Sequence, residues 1–167
     1  MSKQSAGILL YRTVNGKLEV LLVHPGGPFF TRKDAGIWSV PKGEFELGED
    51  LMATAKREFQ EEIGSPAPAG DYIDLGSVKN KSGKTIYVFA TKGDLDARAI
   101  KSNLFDLEWP PRSGAIQQFL EVDRAGWFRV DKALIKINSA QAELIERLSE
   151  KLDIPMPEPP PVQSSLF

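Results

Sequence analysis

Apolar and polar positions along the chain change period several times, and each change marks an element. "SAGILLYR" and "LEVLLVH" are apolar runs of strand length separated by "TVNGK". The Asn15-Gly16 pair between them is a favoured two-residue hairpin turn, so the pattern predicts a β-hairpin. "PGGPFFTRKDAG", residues 25–36, loses all periodicity to Gly and Pro and reads as a long loop. "IWSVPKG" reads as a short strand that stops at Pro41. The period then becomes helical: Leu51, Met52, Ala55, Phe59 and Ile63 recur on one face, with Asp50 as a cap and Gly64 as a stop. "YIDLGSVKN" and "KTIYVFATK" return to the strand pattern and predict a second hairpin across "KSG". Residues 93–126 are mixed and predict no definite element. "WFRV" reads as a last short strand. Residues 138–152 read as a helix, with an Asn138 and Gln141 capping pair and an apolar stripe of Ala142, Leu144, Ile145 and Leu148. Strands on both sides of a central helix, with another helix at the end, predict an α/β fold with a mixed sheet covered by helices on two faces.

With 167 residues the chain is long enough for one domain with a substantial core. We set that domain at residues 1–153 and read the proline-rich "IPMPEPPPVQSSLF", residues 154–167, as an extended or disordered tail. A net charge of −2 gives no electrostatic reason to expect binding to a nucleic-acid polymer or to an anionic membrane. Small phosphorylated ligands stay open, because a few local cations or a metal ion outweigh a small mean charge. No cysteine is present, which excludes disulfides, thiolate metal sites and thiol nucleophiles, and the lone His24 cannot build a histidine-rich metal site. His24 reads as the end of its strand. The apolar runs are too short to cross a bilayer, and "MSKQSAG" lacks the apolar centre of a signal peptide, so a cytoplasmic location is expected by default.

One stretch breaks a local rule. The central helix finishes on Glu61 and Glu62, beside Gly64, with Glu58 one turn earlier. A helix C-terminus carries partial negative charge and attracts cations, not carboxylates. At about 100° per residue the three acids fall within a sector roughly 100° wide, bordering the apolar stripe. A solvated charged face softened by Lys56 and Arg57 is the plain reading. A site for a divalent cation is the alternative: such ions take oxygen ligands and turn the mutual repulsion into attraction.

The residues that make this cluster also resemble a known signature. Gly43, Glu49, Arg57, Glu58, Phe59, Glu61, Glu62 and Gly64 fall in register with G-x5-E-x7-R-E-U-x-E-E-x-G-U, the motif of the Nudix hydrolases, where U is bulky and apolar. Ser65 is the one departure, at a position usually aliphatic. The resemblance implies a Nudix-type α/β/α sandwich and Mg²⁺-dependent hydrolysis, with Mn²⁺ as a substitute, of a nucleoside diphosphate linked to another group. It implies that Glu58 and Glu62 are the principal metal ligands, Glu61 a further ligand or base, and the Gly43 carbonyl a neighbour of the metal. Arg57 and Glu49 would pair to hold the loop against the helix. Relatives often carry an acid ahead of a late Trp, and Glu121, before Trp127, is the candidate here; Asp123 and Glu108 compete with it. Lys42, Arg32 and Lys33 are candidate phosphate contacts, and Phe29, Phe30 and Trp109 are candidates for stacking on a base. Positions that carry a Tyr in relatives acting on dinucleoside polyphosphates, or a Pro in those acting on ADP-ribose, hold Lys81 and Asn80. The reading therefore stops at a small nucleotide or polyphosphate, a nucleoside triphosphate or dinucleoside polyphosphate being favoured, and leaves a homodimer open. A Nudix-fold module that binds a nucleotide without cleaving it is the alternative.

Overall fold

A computed structural model describes residues 3–157. Strands β1 (Gln4–Val14) and β2 (Lys17–Pro25) pair antiparallel, with Tyr11 opposite Val20 and Val14 opposite Lys17. Asn15 and Gly16 turn the corner with φ of 52° and 75°, the backbone that a tight two-residue hairpin needs. β3 (Lys42–Glu44), helix α1 (Leu51–Ile63), β4 (Ile73–Lys79) and β5 (Thr85–Lys92) follow. β6 (Leu104–Glu108) and β7 (Ile116–Leu120) form a separate two-stranded hairpin. β8 (Val122–Arg129), α2 (Val130–Lys136) and α3 (Ala142–Lys151) complete the described chain. The main sheet runs β4-β5-β1-β2-β8 with β3 lying on β1, and only the β1–β5 pair is parallel.

Period-two alternation sorts the core onto the two sheet faces. Ala6, Ile8 and Leu10 point to one side and meet Ala55, Phe59 and Ile63 of α1. Leu9, Leu18, Val20 and Leu22 point to the other and meet Ala133 of α2 and Leu144, Ile145 and Leu148 of α3. The expected α/β/α sandwich with a mixed sheet is the one observed.

The sheet is forked. β5 occupies one edge of β1, while on the other edge β3 pairs with Ser5–Gly7 and β2 with Tyr11–Val14. Residues 39–44 fill the gap as β1 and β2 diverge. Ser39 exchanges two backbone hydrogen bonds of 2.9 Å with Val23, and Ile8 N–H donates to the Pro41 carbonyl at 3.1 Å. Here the expected strand "IWSVPKG" is corrected: Trp38 and Ser39 make single bridges, to Ile137 and Val23, and the strand starts after Pro41, not before it. Proline has no N–H to donate to a ladder.

Three further expectations shift. The last helix starts as a single 3-10 turn, Ser139–Gln141, capped by Asn138 alone, whose Oδ1 accepts from Ala140 N–H at 3.0 Å. Gln141 is buried and its Oε1 accepts from Val40 N–H at 3.0 Å, fixing the wedge in the fork instead of completing a cap. The strand read as "WFRV" is eight residues long and runs into α2, a helix too short to show a period. The proline-rich tail does not leave the domain at residue 154: Ile154 and Met156 pack on the core beside α3, and Ile154 N–H donates to the Ser149 carbonyl at 2.9 Å. The remainder of that tail, 158–167, lies outside the described residues. Among the described residues no helix is long and apolar enough to cross a membrane.

Candidate functional site

Helix α1 starts where Asp50 Oδ2 accepts from Ala53 N–H at 2.9 Å and ends at Gly64, whose φ of 90° is left-handed. Its last carbonyls are supplied with donors from elsewhere. Gly64 N–H reaches the Gln60 carbonyl, Asn103 N–H the Glu61 carbonyl and Lys101 N–H the Ile63 carbonyl, each at 2.8 Å. Those bonds blunt the negative helix end beside which Glu58, Glu61 and Glu62 sit.

The three acids occupy graded environments. Glu62 is 8% exposed, and its Oε2 accepts from Lys42 N–H at 2.9 Å. Glu58 lies against β3, and a Cβ on Gly43 would fall 2.0 Å from its carboxyl carbon, so only glycine lets this carboxylate reach the strand. Glu61 is the most open of the three, and Glu121 joins from the bend before β8, where its N–H donates to Asn103 O at 2.9 Å. Burial pushes the Glu62 carboxyl up to about 8, opposed by Lys42 and reinforced by Glu58 and Glu121. Burial and then Glu61 raise Glu58; burial and then Glu61 also raise Glu121 against the pull of Lys42. Three of the gathered carboxyl groups, Glu58, Glu62 and Glu121, thus lie in a field that disfavours their ionisation.

Arg57 is the cation inside the cluster. It donates to Glu49 Oε2 at 3.0 Å and to Glu58 Oε1 at 3.4 Å, and its Nε lies 3.9 Å from Glu61 Oε1. Glu49 in turn accepts from Glu46 N–H at 2.9 Å, which ties the turn to the helix. Among the described residues no three acidic, His or Cys side chains already stand as a metal cage. The reason is visible in the bonds: Arg57 draws Glu58 and Glu61 towards itself, and Lys42 N–H engages Glu62. The donor set still fits a hard divalent ion, being carboxylate and backbone oxygen throughout, with buried like charges that a cation would relieve.

A cleft of about 280 Å³ opens beside the acids, lined by Lys42, Glu62 and Glu121 together with Phe30, Asn80 and Lys84. Of the cations proposed from sequence, Lys42 is in the cleft. Arg32 and Lys33 are exposed on the 25–36 loop and do not line it; the Lys33 ammonium lies 5.7 Å from the Phe30 ring centre. Lys84 and Asn80 were missed, because in sequence they are ordinary polar residues of a hairpin turn. Phe30 reaches the cleft, whereas Phe29 meets Trp109 edge-on at 5.2 Å. Glu108 accepts from Arg112 N–H at the hairpin tip and Asp123 binds His24, so neither joins the acids. His24 does more than end β2: it is fully buried and hydrogen-bonded through both ring nitrogens. Ser65 is exposed, so the departure from the motif leaves no gap in the core.

The family model for the NUDIX domain matches residues 1–148. Nudix hydrolase 7 of Arabidopsis thaliana is 27% identical over 111 residues, covering 62% of this chain and 36% of that protein. The asymmetrical bis(5'-nucleosyl)-tetraphosphatase of Caenorhabditis elegans is 37% identical over 62 residues, covering 37% of this chain and 41% of that protein. The matches therefore span less than half the length of either curated relative. Two solved structures share the fold over nearly the whole chain. The NUDIX domain of Shewanella oneidensis NrtR, complexed with ADP ribose, has a TM-score of 0.61 at 20% identity, covering 91% of this chain and 89% of that one. A binary complex of the C. elegans Ap4A hydrolase has a TM-score of 0.59 at 21% identity, covering 90% and 98%.

Proposed function

This chain belongs to the Nudix family, and from that premise we propose that it is a divalent-cation-dependent pyrophosphohydrolase cleaving a phosphoanhydride bond in a nucleoside diphosphate derivative. The observation that carries the reading is the gathering of Glu58, Glu61, Glu62 and Glu121 at one place, with a strand that only glycine allows so close to Glu58. Glu58 and Glu62 would be the principal ligands for Mg²⁺ or Mn²⁺, with Glu61 and the Gly43 backbone beside them. When bound, the ion neutralises phosphate oxygens and lowers the pKa of the attacking water.

The chain's own groups do the rest. Arg57 holds Glu49, and so the turn, on the helix, and stands beside Glu58 and Glu61, the carboxylates that would face the ion. Lys42 orients a phosphate oxygen in the cleft. Glu121, made more basic by burial and by Glu61, takes the proton of the water as its oxygen attacks phosphorus and the distal phosphate leaves. The substrate is a nucleoside triphosphate or dinucleoside polyphosphate. Two observations support that choice: a second cation, Lys84, lines the cleft, and part of the chain aligns with a tetraphosphatase.

The test is product release from a panel of nucleoside triphosphates and dinucleoside polyphosphates, with and without Mg²⁺, for the wild type and Glu58→Gln. A metal-dependent wild type and a variant slower by about a hundredfold or more are expected. Binding without products would favour a nucleotide-sensing module, and an unimpaired Glu58→Gln would remove the acid cluster from the chemistry.

A further inference from the structure

The chain's single histidine lies outside the machinery just described, yet it is placed between two of its parts. His24 is fully buried near the end of β2, with Trp38 edge-on at 5.2 Å. Its Nε2 is 2.7 Å from the Lys33 carbonyl oxygen and its Nδ1 is 2.8 Å from Asp123 Oδ1. A carbonyl and a carboxylate are both acceptors. A neutral imidazole has one N–H and would leave one of these contacts without a hydrogen; the doubly protonated ring satisfies both, and Asp123 balances its charge.

The two partners belong to different walls. Lys33 is on the 25–36 loop, whose Phe30 lines the cleft, and Asp123 is two residues beyond Glu121. The same loop touches that segment a second time, through Gly26. Its N–H donates to the Glu121 carbonyl at 2.9 Å, and a Cβ there would fall 1.8 Å from Leu120 O. The imidazole ring and the Gly26 contact together pin the loop to the segment bearing Glu121 from two sides.

We propose that His24, carrying hydrogen on both nitrogens, is a positioning residue that clamps the 25–36 loop to the start of β8 and so fixes the cleft wall relative to Glu121. As an account of turnover it rests on the pyrophosphohydrolase reading, but the clamp itself is read without any reaction. Because there is one histidine, its imidazole resonances are unambiguous: ¹⁵N spectra of the full chain near neutral pH show two protonated ring nitrogens, and one bare nitrogen would overturn the proposal. Asp123→Ala and Asp123→Asn separate clamping from general stability. Asparagine can donate to Nδ1 while Nε2 still donates to Lys33 O, so a neutral ring keeps the clamp. Asp123→Ala strands a buried donor and speeds amide exchange of residues 26–36 by about tenfold, with a similar rise in KM and little change in kcat. Asp123→Asn restores both to near wild-type values. Wild-type loop exchange in Asp123→Ala, or failure of Asp123→Asn to rescue it, would refute the clamp even for a chain with no measurable hydrolysis. Inactivity of the wild type, by contrast, would fault only the functional reading.

Discussion

Glu62 should make the metal-free protein weaken as the pH rises, and replacing it with glutamine should remove most of that dependence. Its carboxyl sits at about 8 in the folded chain against an ordinary value of 4.5. Between those values the folded state keeps a proton that the unfolded state has released, so deprotonation favours unfolding. The contribution is full below the unfolded value and is lost as the pH climbs through the folded one. A difference of 3.5 units between the two values, at about 1.36 kcal/mol each, amounts to ~5 kcal/mol over the whole window, of which ~3 kcal/mol is lost by pH 7. Glu58 and Glu121 are raised as well and add to the wild-type slope with the same sign. Glutamine keeps an acceptor for Lys42 N–H but never ionises. Glu62→Gln should therefore be more stable than wild type at pH 7 in chelator by about 3 kcal/mol, or roughly 6–12 °C in Tm. Urea denaturation followed by tryptophan fluorescence, from about pH 5 to 8 in EDTA, measures both slopes. Saturating Mg²⁺ should flatten the wild-type slope and leave the variant's unchanged. Equal slopes for the two proteins in EDTA, or a wild type that gains stability with pH, would refute the reasoning.

Gly43→Ala inserts a methyl 2.0 Å from the Glu58 carboxyl carbon, so it should abolish Mg²⁺-dependent turnover while calorimetry shows a folded domain; activity within twofold of wild type would mean that the carboxylate has room to move. Glu121→Gln should slow turnover by about ten- to a hundredfold and change the pH–rate profile at its acid limb, while an isothermal titration with Mn²⁺ stays close to wild type. A large loss of Mn²⁺ affinity in that variant would move Glu121 from proton acceptor to ligand.

The parts of this molecule that could be read from its sequence are those whose signal is local. The hairpin at Asn15-Gly16, the Asp50 and Gly64 ends of α1 and the three helix acids depend on neighbours a few residues away, and all are present in the structure. What escaped the reading depends on distant partners. Gln141 looks like a capping residue until Val40 N–H, 101 positions earlier, is seen to need an acceptor. His24 looks like a strand end until Asp123 and the Lys33 carbonyl are brought to its two nitrogens. The β6–β7 hairpin was illegible for another reason. Phe105 and Phe119 face one side while Leu104, Ile116 and Leu120 face solvent, so no clean alternation survives in the string. Arg32 and Lys33 are the opposite case: a charged loop beside a Gly-rich turn looks like a phosphate grip, yet neither residue lines the cleft.

The wedge in the forked sheet also sets when the acid cluster can exist. Its hold on Val40 comes from Gln141, and its neighbours Ile8 and Val23 come from the opposite end of the chain. Contacts of such separation carry a large loop-closure cost and form only once most of the polypeptide is available. A ribosome that has released α1 but not α3 has therefore made every motif carboxylate without the frame that gathers them. On the proposed reading, metal capture and completion of the domain become one event, and a truncated product is an acidic helix with nothing to grip.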